Sequence, residues 1–158
     1  MIRKYILILL SAIFCLGCEE DRTVDTTVMP EISNVGADTF GCLIDGWLYV
    51  GGRYRAFFLS IPTKEYSISF CYNEYTKVMD VKVLTSWDKA IRFTIQSPKE
   101  GEESIFSNVR FGNQELEDGT VQITRFDKQQ QIISGTFSGG RITHGRFDTH
   151  YTTYTTNN

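Results

Sequence analysis

Four cysteines and two histidines carry the most reactive side-chain chemistry in this 158-residue sequence. Cys15 and Cys18 have C-x-x-C redox spacing, but they end an apolar run with no strand–helix unit around it, which argues against that role. Cys42 and Cys71 fall in expected strands. A disulfide between them needs those strands to bring the Cα atoms within about 7 Å in an oxidising compartment. The other reading is two buried, inert thiols. His144 and His150 are six residues apart, which is about 20 Å along one strand at ~3.3 Å per residue. They cannot share a metal without a sharp bend. His144 has two readings, a residue standing near Asp148 or simply a polar outer-face histidine, and the second is preferred. The sequence has no HExxH, no EF-hand loop, no glycine-rich phosphate loop and no G-x-S-x-G around Ser138. No acidic pair stands out as glycosidase carboxylates. The expectation is a protein without catalytic residues, metal or cofactor.

Cys18 has a different use. Arg3 and Lys4 precede an almost wholly apolar run from Tyr5 to Phe14, interrupted only by Ser11. That run is too short to cross a ~30 Å hydrocarbon core and fits a signal-peptide h-region. Cys15-Leu16-Gly17-Cys18 then resembles the lipobox of bacterial lipoproteins, with Cys15 in the place of the usual aliphatic residue. The resemblance implies cleavage before Cys18 and acylation of its thiol, palmitate included, with more than one chain because a single chain binds a membrane only marginally.

Removal of residues 1–17 leaves 141 residues. It takes away Arg3 and Lys4 and no acid, so 14 basic residues face 19 acidic ones and the formal charge is −5. A mildly acidic chain without a Lys/Arg run is a poor nucleic-acid binder. Residues 18–37 read as the lipidated cysteine and a flexible tether, acidic at Glu19, Glu20 and Asp21, then Thr-rich, with Pro30. The acidic triplet is either solvated linker charge or, by resemblance, a surface-export signal of Bacteroidota. Asp25-Thr26-Thr27 resembles the O-glycosylation sequon of that phylum, with Thr26 as acceptor.

Residues 38–152 form a β-rich domain of short strands and turn signals. Asp45-Gly46 between Phe40–Ile44 and Trp47–Val50 predicts a two-residue type I′ hairpin. Tyr66, Ile68, Phe70 and Tyr72 share a face, as do Met79, Val81 and Val83, then Ile91, Phe93 and Ile95. Residues 97–119 read as a long loop with one short strand near Phe106–Phe111. Val121 and Ile123, then Ile133, Gly135 and Phe137, begin the closing strands, and a bulge at Gly145 would turn both Ile142 and Phe147 inward. Arg146 and Asp148 would pair their charges at that strand's end. Residues 153–158 read as a frayed tail. The fold class is all-β: an antiparallel meander of about eight strands forming a barrel or sandwich.

Thr39-Phe40-Gly41-Cys42-Leu43-Ile44-Asp45-Gly46 resembles the opening of an uncharacterised lipoprotein family of Bacteroidota. Val121–Asp127, Ile132–Phe137 and Ile142–Asp148, with their GTF and GRFD motifs, resemble that family's last three strands in order. The family brings no activity with it. The resemblance implies an outer-membrane lipoprotein, on the cell surface or the periplasmic face.

Function is expected to be binding: a lipid-anchored envelope domain taking a ligand, glycan or envelope protein partner. The alternatives are an accessory lipoprotein without a small-molecule ligand, and a hydrolase. Most of the aromatic set, Trp47, Tyr49, Tyr54, Phe57, Phe58, Tyr66, Tyr72, Tyr75 and Trp87, reads as core. Trp87, in the turn Ser86–Lys89, is the one most expected to be exposed and to contact a partner. A binding domain predicts an aromatic-lined groove or barrel mouth with convergent polar groups.

Overall fold

The computed structural model describes residues 25, 27–54, 64–66, 68–87 and 89–155, with backbone only at 53, 54 and 64–66. The signal segment, Cys18, the acidic triplet and Thr26 lie outside the described residues, as do Phe57 and Phe58.

Alternating apolar residues produce strands throughout, and the described residues contain no helix. In chain order the strands are β1 (Thr39–Ile44), β2 (Trp47–Tyr54), β3 (Lys64–Tyr66), β4 (Ile68–Asn73), β5 (Val78–Leu84), β6 (Ala90–Gln96), β7 (Glu103–Phe111), β8 (Gln114–Glu115), β9 (Gly119–Asp127), β10 (Ile132–Gly139), β11 (Ile142–His150) and β12 (Thr152–Tyr154). They form one sheet in the order β12-β4-β5-β6-β7-β9-β10-β11-β1-β2-β3, with β8 beside β7. The sheet curls strongly into a half-barrel. The Asp45-Gly46 hairpin forms with both residues at positive φ, 52° and 81°, and pairs Ile44 with Trp47.

The described residues form twelve strands where about eight are expected. Three of the additions, β3, β8 and β12, are only two or three residues long. Another difference is the stretch expected as a loop around 97–119, where β7 is a full nine-residue strand. Its alternation is hidden by a bulge: Asn108 has φ 56°, the register against β6 slips there, and Phe106, Val109 and Phe111 are all buried. The same device acts in β11. Leu43 pairs with Thr143 but Gly41 with Arg146, so His144 (φ 54°) and Gly145 oppose one residue. Ile142 and Phe147 are thereby both buried.

The meander is not wholly antiparallel, because β12 pairs with β4 in parallel. Only Tyr151 separates β12 from β11. The chain thus leaves β11 near one margin of the sheet and lands beside β4 at the other, which ties the curl together. Thr153 and Tyr154, expected in a frayed tail, are part of this tie, and Tyr154 Oη donates to Asp80 Oδ2 at 2.7 Å.

The inner face is filled with rings. Phe137 lies 5.5 Å from Phe40, 5.4 Å from Phe93, 5.6 Å from Phe106 and 6.1 Å from Phe147 between centroids. Gly145, directly across from Phe137, makes room for it: a Cβ there would sit 2.6 Å from three ring carbons. Rings meeting at these separations add edge and offset contacts to their burial.

The end of the expected tether is a docked strap. A Cβ on Gly41 would meet Pro30 Cδ at 2.5 Å and Met29 Sδ at 2.8 Å, so this glycine lets the strap lie on β1. Asp148 holds it. This carboxylate is 1% exposed and does not pair with Arg146. Its Oδ2 accepts from Ser33 Oγ (2.5 Å), Val35 N (3.0 Å) and Ala37 N (3.2 Å). Its Oδ1 accepts from Gly36 N (2.8 Å) and Ser134 Oγ (2.7 Å). Arg146 instead donates from Nη1 to the Pro30 carbonyl at 3.0 Å. Asn34 reaches β9, accepting from Thr124 Oγ1 at 2.8 Å and Arg125 Nη1 at 2.5 Å. Burial would raise the Asp148 pKa, but the hydrogen bonds from Ser33, Ser134, Val35 and Gly36 outweigh it and hold the group below the ordinary carboxylate range.

Candidate functional site

Three connections fall at one end of the half-barrel: the β4–β5 turn, the β6–β7 link and the β9–β10 turn. Between them opens a cavity of about 430 Å³, lined by Tyr72, Lys77, Ser97, Pro98, Lys99, Glu100, Phe126 and Lys128. Its floor is aromatic. Tyr72 and Phe126 meet edge to face at 5.2 Å, and Tyr151 stacks behind Phe126 at 5.3 Å. Burial, then the charge of Glu74, pushes the Tyr72 pKa up, which leaves its hydroxyl a neutral donor.

The rim is cationic. Lys77 and Lys128 have no ion-pair partner among the described residues, and Lys99 meets Glu102 at 3.3 Å in an exposed pair. Glu100 is the one acid in the lining. It serves the wall, its Oε2 accepting from Phe126 N at 3.0 Å. The walls are held by backbone bonds. Lys77 and Ser97, at φ 61° and 44°, are joined by Ser97 N donating to the Lys77 carbonyl at 2.9 Å. Lys77 N in turn donates to the Asn73 carbonyl at 2.9 Å, and Asn73 Oδ1 accepts from Tyr75 N (2.9 Å) and Thr76 N (3.1 Å). The β6–β7 link is pinned to β9 through Gly101 N to the Ile123 carbonyl at 2.9 Å. Sparsely populated φ values held by such bonds keep a site in shape before a ligand arrives.

Two other concavities are more polar. One, about 290 Å³ on the outer face, is lined by Glu103, Thr120, Gln122, Thr136, Ser138, His144 and Arg146, among others. Registered pairs place Glu103, Gln122, Thr136 and Arg146 in one row across β7, β9, β10 and β11. The other lies beside β8, where Arg110 is already paired with Glu115 at 3.2 Å.

No protein-family model, curated protein or solved structure matches this chain.

Cys42 and Cys71 are free thiols, and the fold keeps them apart. Cys42 points inward with Phe40 and Ile44, whereas Cys71 alternates with the buried Phe70 and Tyr72 and faces outward. β1 and β4 are not neighbours in the sheet. Burial pushes the Cys42 thiol up to about 12, so it is inert at neutral pH. Cys71 Sγ accepts from Thr152 Oγ1 at 3.3 Å, across the β4–β12 tie.

Trp87 is 62% exposed and donates its indole N–H to the Leu48 carbonyl at 3.1 Å. Trp47 is exposed near it, and Tyr75 is exposed on the β4–β5 turn. His144 and His150 do not converge. His150 Nδ1 lies 3.0 Å from Asp38 Oδ1 in a half-exposed pair, outside all three concavities. Among the described residues no three His, Cys, Asp or Glu side chains gather as metal ligands.

The lysines of the cavity were not singled out from sequence, although a signal existed. In an up-and-down meander, alternate turns fall at the same end. Lys77, Lys99 and Lys128 lie in or next to three such turns.

Proposed function

We propose that this chain is an exported lipoprotein, held to a membrane by acyl groups on Cys18, and that its β domain is a non-catalytic binding module. One observation carries the binding reading: a preorganised cavity with an aromatic floor and three lysines stands at one end of a half-barrel, over a packed core of aromatic and aliphatic side chains. Two of those lysines, Lys77 and Lys128, have no ion-pair partner among the described residues, which favours a ligand site over an accessory protein without one. The charged n-region, the short apolar run, the Leu-Gly-Cys18 sequence and the acidic residues after it support the anchor. The resemblance to Bacteroidota lipoproteins supports an outer-membrane location, with the domain on either face.

Replacing Cys18→Ala is expected to abolish acyl labelling and release the protein from the membrane fraction. Continued labelling and membrane association of that variant would refute the anchor. The binding reading is tested by affinity capture from an intact envelope with the wild type and with Phe126→Ala. A ligand or partner held by the first and lost by the second is the expected result, and equal capture by both would remove the cavity as the site.

A further inference from the structure

We infer that the end cavity takes a carboxylated sugar ring, such as a uronic acid residue of an acidic glycan. This rests on reading the cavity as a ligand site and names the chemistry of its ligand.

The charge comes first. Three of the chain's seven lysines line this one cavity, in a protein whose formal charge is −3. Glu100 is occupied with Phe126 N. Of the acids close by, Asp127 is engaged by Arg125 Nη2 at 2.7 Å and by the amides of Gln129 and Gln130, both at 2.9 Å. Lys99 shares its charge with Glu102 and Glu74 acts on Tyr72 from nearby, so the positive charge offered over the apolar floor is that of Lys77 and Lys128, a fit for a single anionic group carried on a body with an apolar face.

The body is limited by what lies beneath. Tyr72 and Tyr151 are buried, and the phenylalanine cluster fills the interior behind them. Among the described residues the floor closes on this buried core, which leaves little depth for an acyl tail. A free phosphate would leave the floor of Tyr72, Phe126 and Pro98 unused. A neutral sugar needs many directional hydrogen bonds, yet the lining offers only Ser97 and the Tyr72 hydroxyl as uncharged polar side chains. A uronic acid ring matches both features: its C–H face lies on the aromatic floor and its carboxylate meets the lysines. The volume falls in the usual range of small-ligand sites, roughly 300–1,000 Å³.

The test uses the full chain in detergent, titrated by calorimetry and NMR with oligomers of glucuronate, galacturonate and mannuronate, and with glucose oligomers as the neutral arm. At least one acidic oligomer is expected to bind, to shift Tyr72 and Phe126 signals, and to weaken as salt rises. Lys77→Ala and Lys128→Ala are each expected to cost about fivefold in affinity, while Lys82→Ala on the exposed side of β5 leaves it unchanged. Glucose oligomers binding as tightly as the acidic ones would overturn the charge assignment and leave the site standing. Failure of all three acidic oligomers to move the Tyr72 and Phe126 signals would overturn the inference, and the envelope capture with Phe126→Ala would decide the site separately.

Discussion

Changing Asp148→Asn tests what holds the strap. The wild-type carboxylate takes five donors, three on Oδ2 and two on Oδ1. Asparagine keeps the shape but offers one oxygen and one amide N–H₂. With the oxygen in the Oδ2 position, Ser33, Val35 and Ala37 keep an acceptor, and the new amide faces Gly36 N and the Ser134 hydroxyl. The hydroxyl can rotate to accept, but Gly36 N–H cannot. One buried N–H left unmade costs about 1–3 kcal/mol. The three remaining bonds lose their charge assistance, which roughly doubles such bonds, for about 1–2 kcal/mol more. The expected total is about 3 kcal/mol, capped at the free energy of peeling the strap into water. Amide hydrogen exchange reads this directly: protection at Val35, Gly36 and Ala37 should fall about 100-fold, with little change at Ile95 or Ile123 in the core strands. The pH dependence has a defined sign. The folded pKa of Asp148 lies below the unfolded value of about 3.9. Its contribution is therefore complete above that unfolded value and is lost as pH falls through the lower folded one. Strap protection should decline in acid in the wild type and be flat across that window in Asp148→Asn. Unchanged protection at all three amides in the variant would refute the assignment of Asp148 as the clasp.

Other outcomes follow from the core and the thiols. Gly145→Ala places a methyl 2.6 Å from the Phe137 ring and is expected to cost about 1–3 kcal/mol in urea unfolding. Phe137→Ala, which removes the ring that touches four others, should cost about 3–5 kcal/mol. A Gly145→Ala variant as stable as the wild type would show that the ring has free space. Thiol labelling of the native protein should modify Cys71 and spare Cys42 until urea unfolds the domain, and a reducing agent should leave the unfolding midpoint unchanged. A shift on reduction would mean that the two are bonded after all.

The clean alternations were legible in the sequence because a period of two along a strand needs no knowledge of its neighbours. Met79, Val81 and Val83 are buried together, as are Ile91, Phe93 and Ile95. The Asp45-Gly46 turn was legible because few residue pairs take two positive φ values without strain. β7 was not, because Asn108 shifts its period midway and the partner strand decides where a bulge sits. The strap was not, because residues 29–38 have no apolar period. What holds them is a carboxylate more than 100 residues later in the chain. The pair expected between Arg146 and Asp148 does not form although the pleat puts both on one face, because the strap lies on that face and engages each: its Ser33 hydroxyl and its amides bond Asp148, and its Pro30 carbonyl takes Arg146.

By itself the sequence determined the fold class, the first hairpin and most inward faces, since all of these depend on local pattern and composition. Only the tertiary structure decided that Cys42 and Cys71 face opposite sides of the sheet, that Asp148 clasps the strap, and that Lys77, Lys99 and Lys128 gather over Tyr72 and Phe126. Those depend on strand order and curl, which are set by long-range pairing between residues that carry no local mark of their partners.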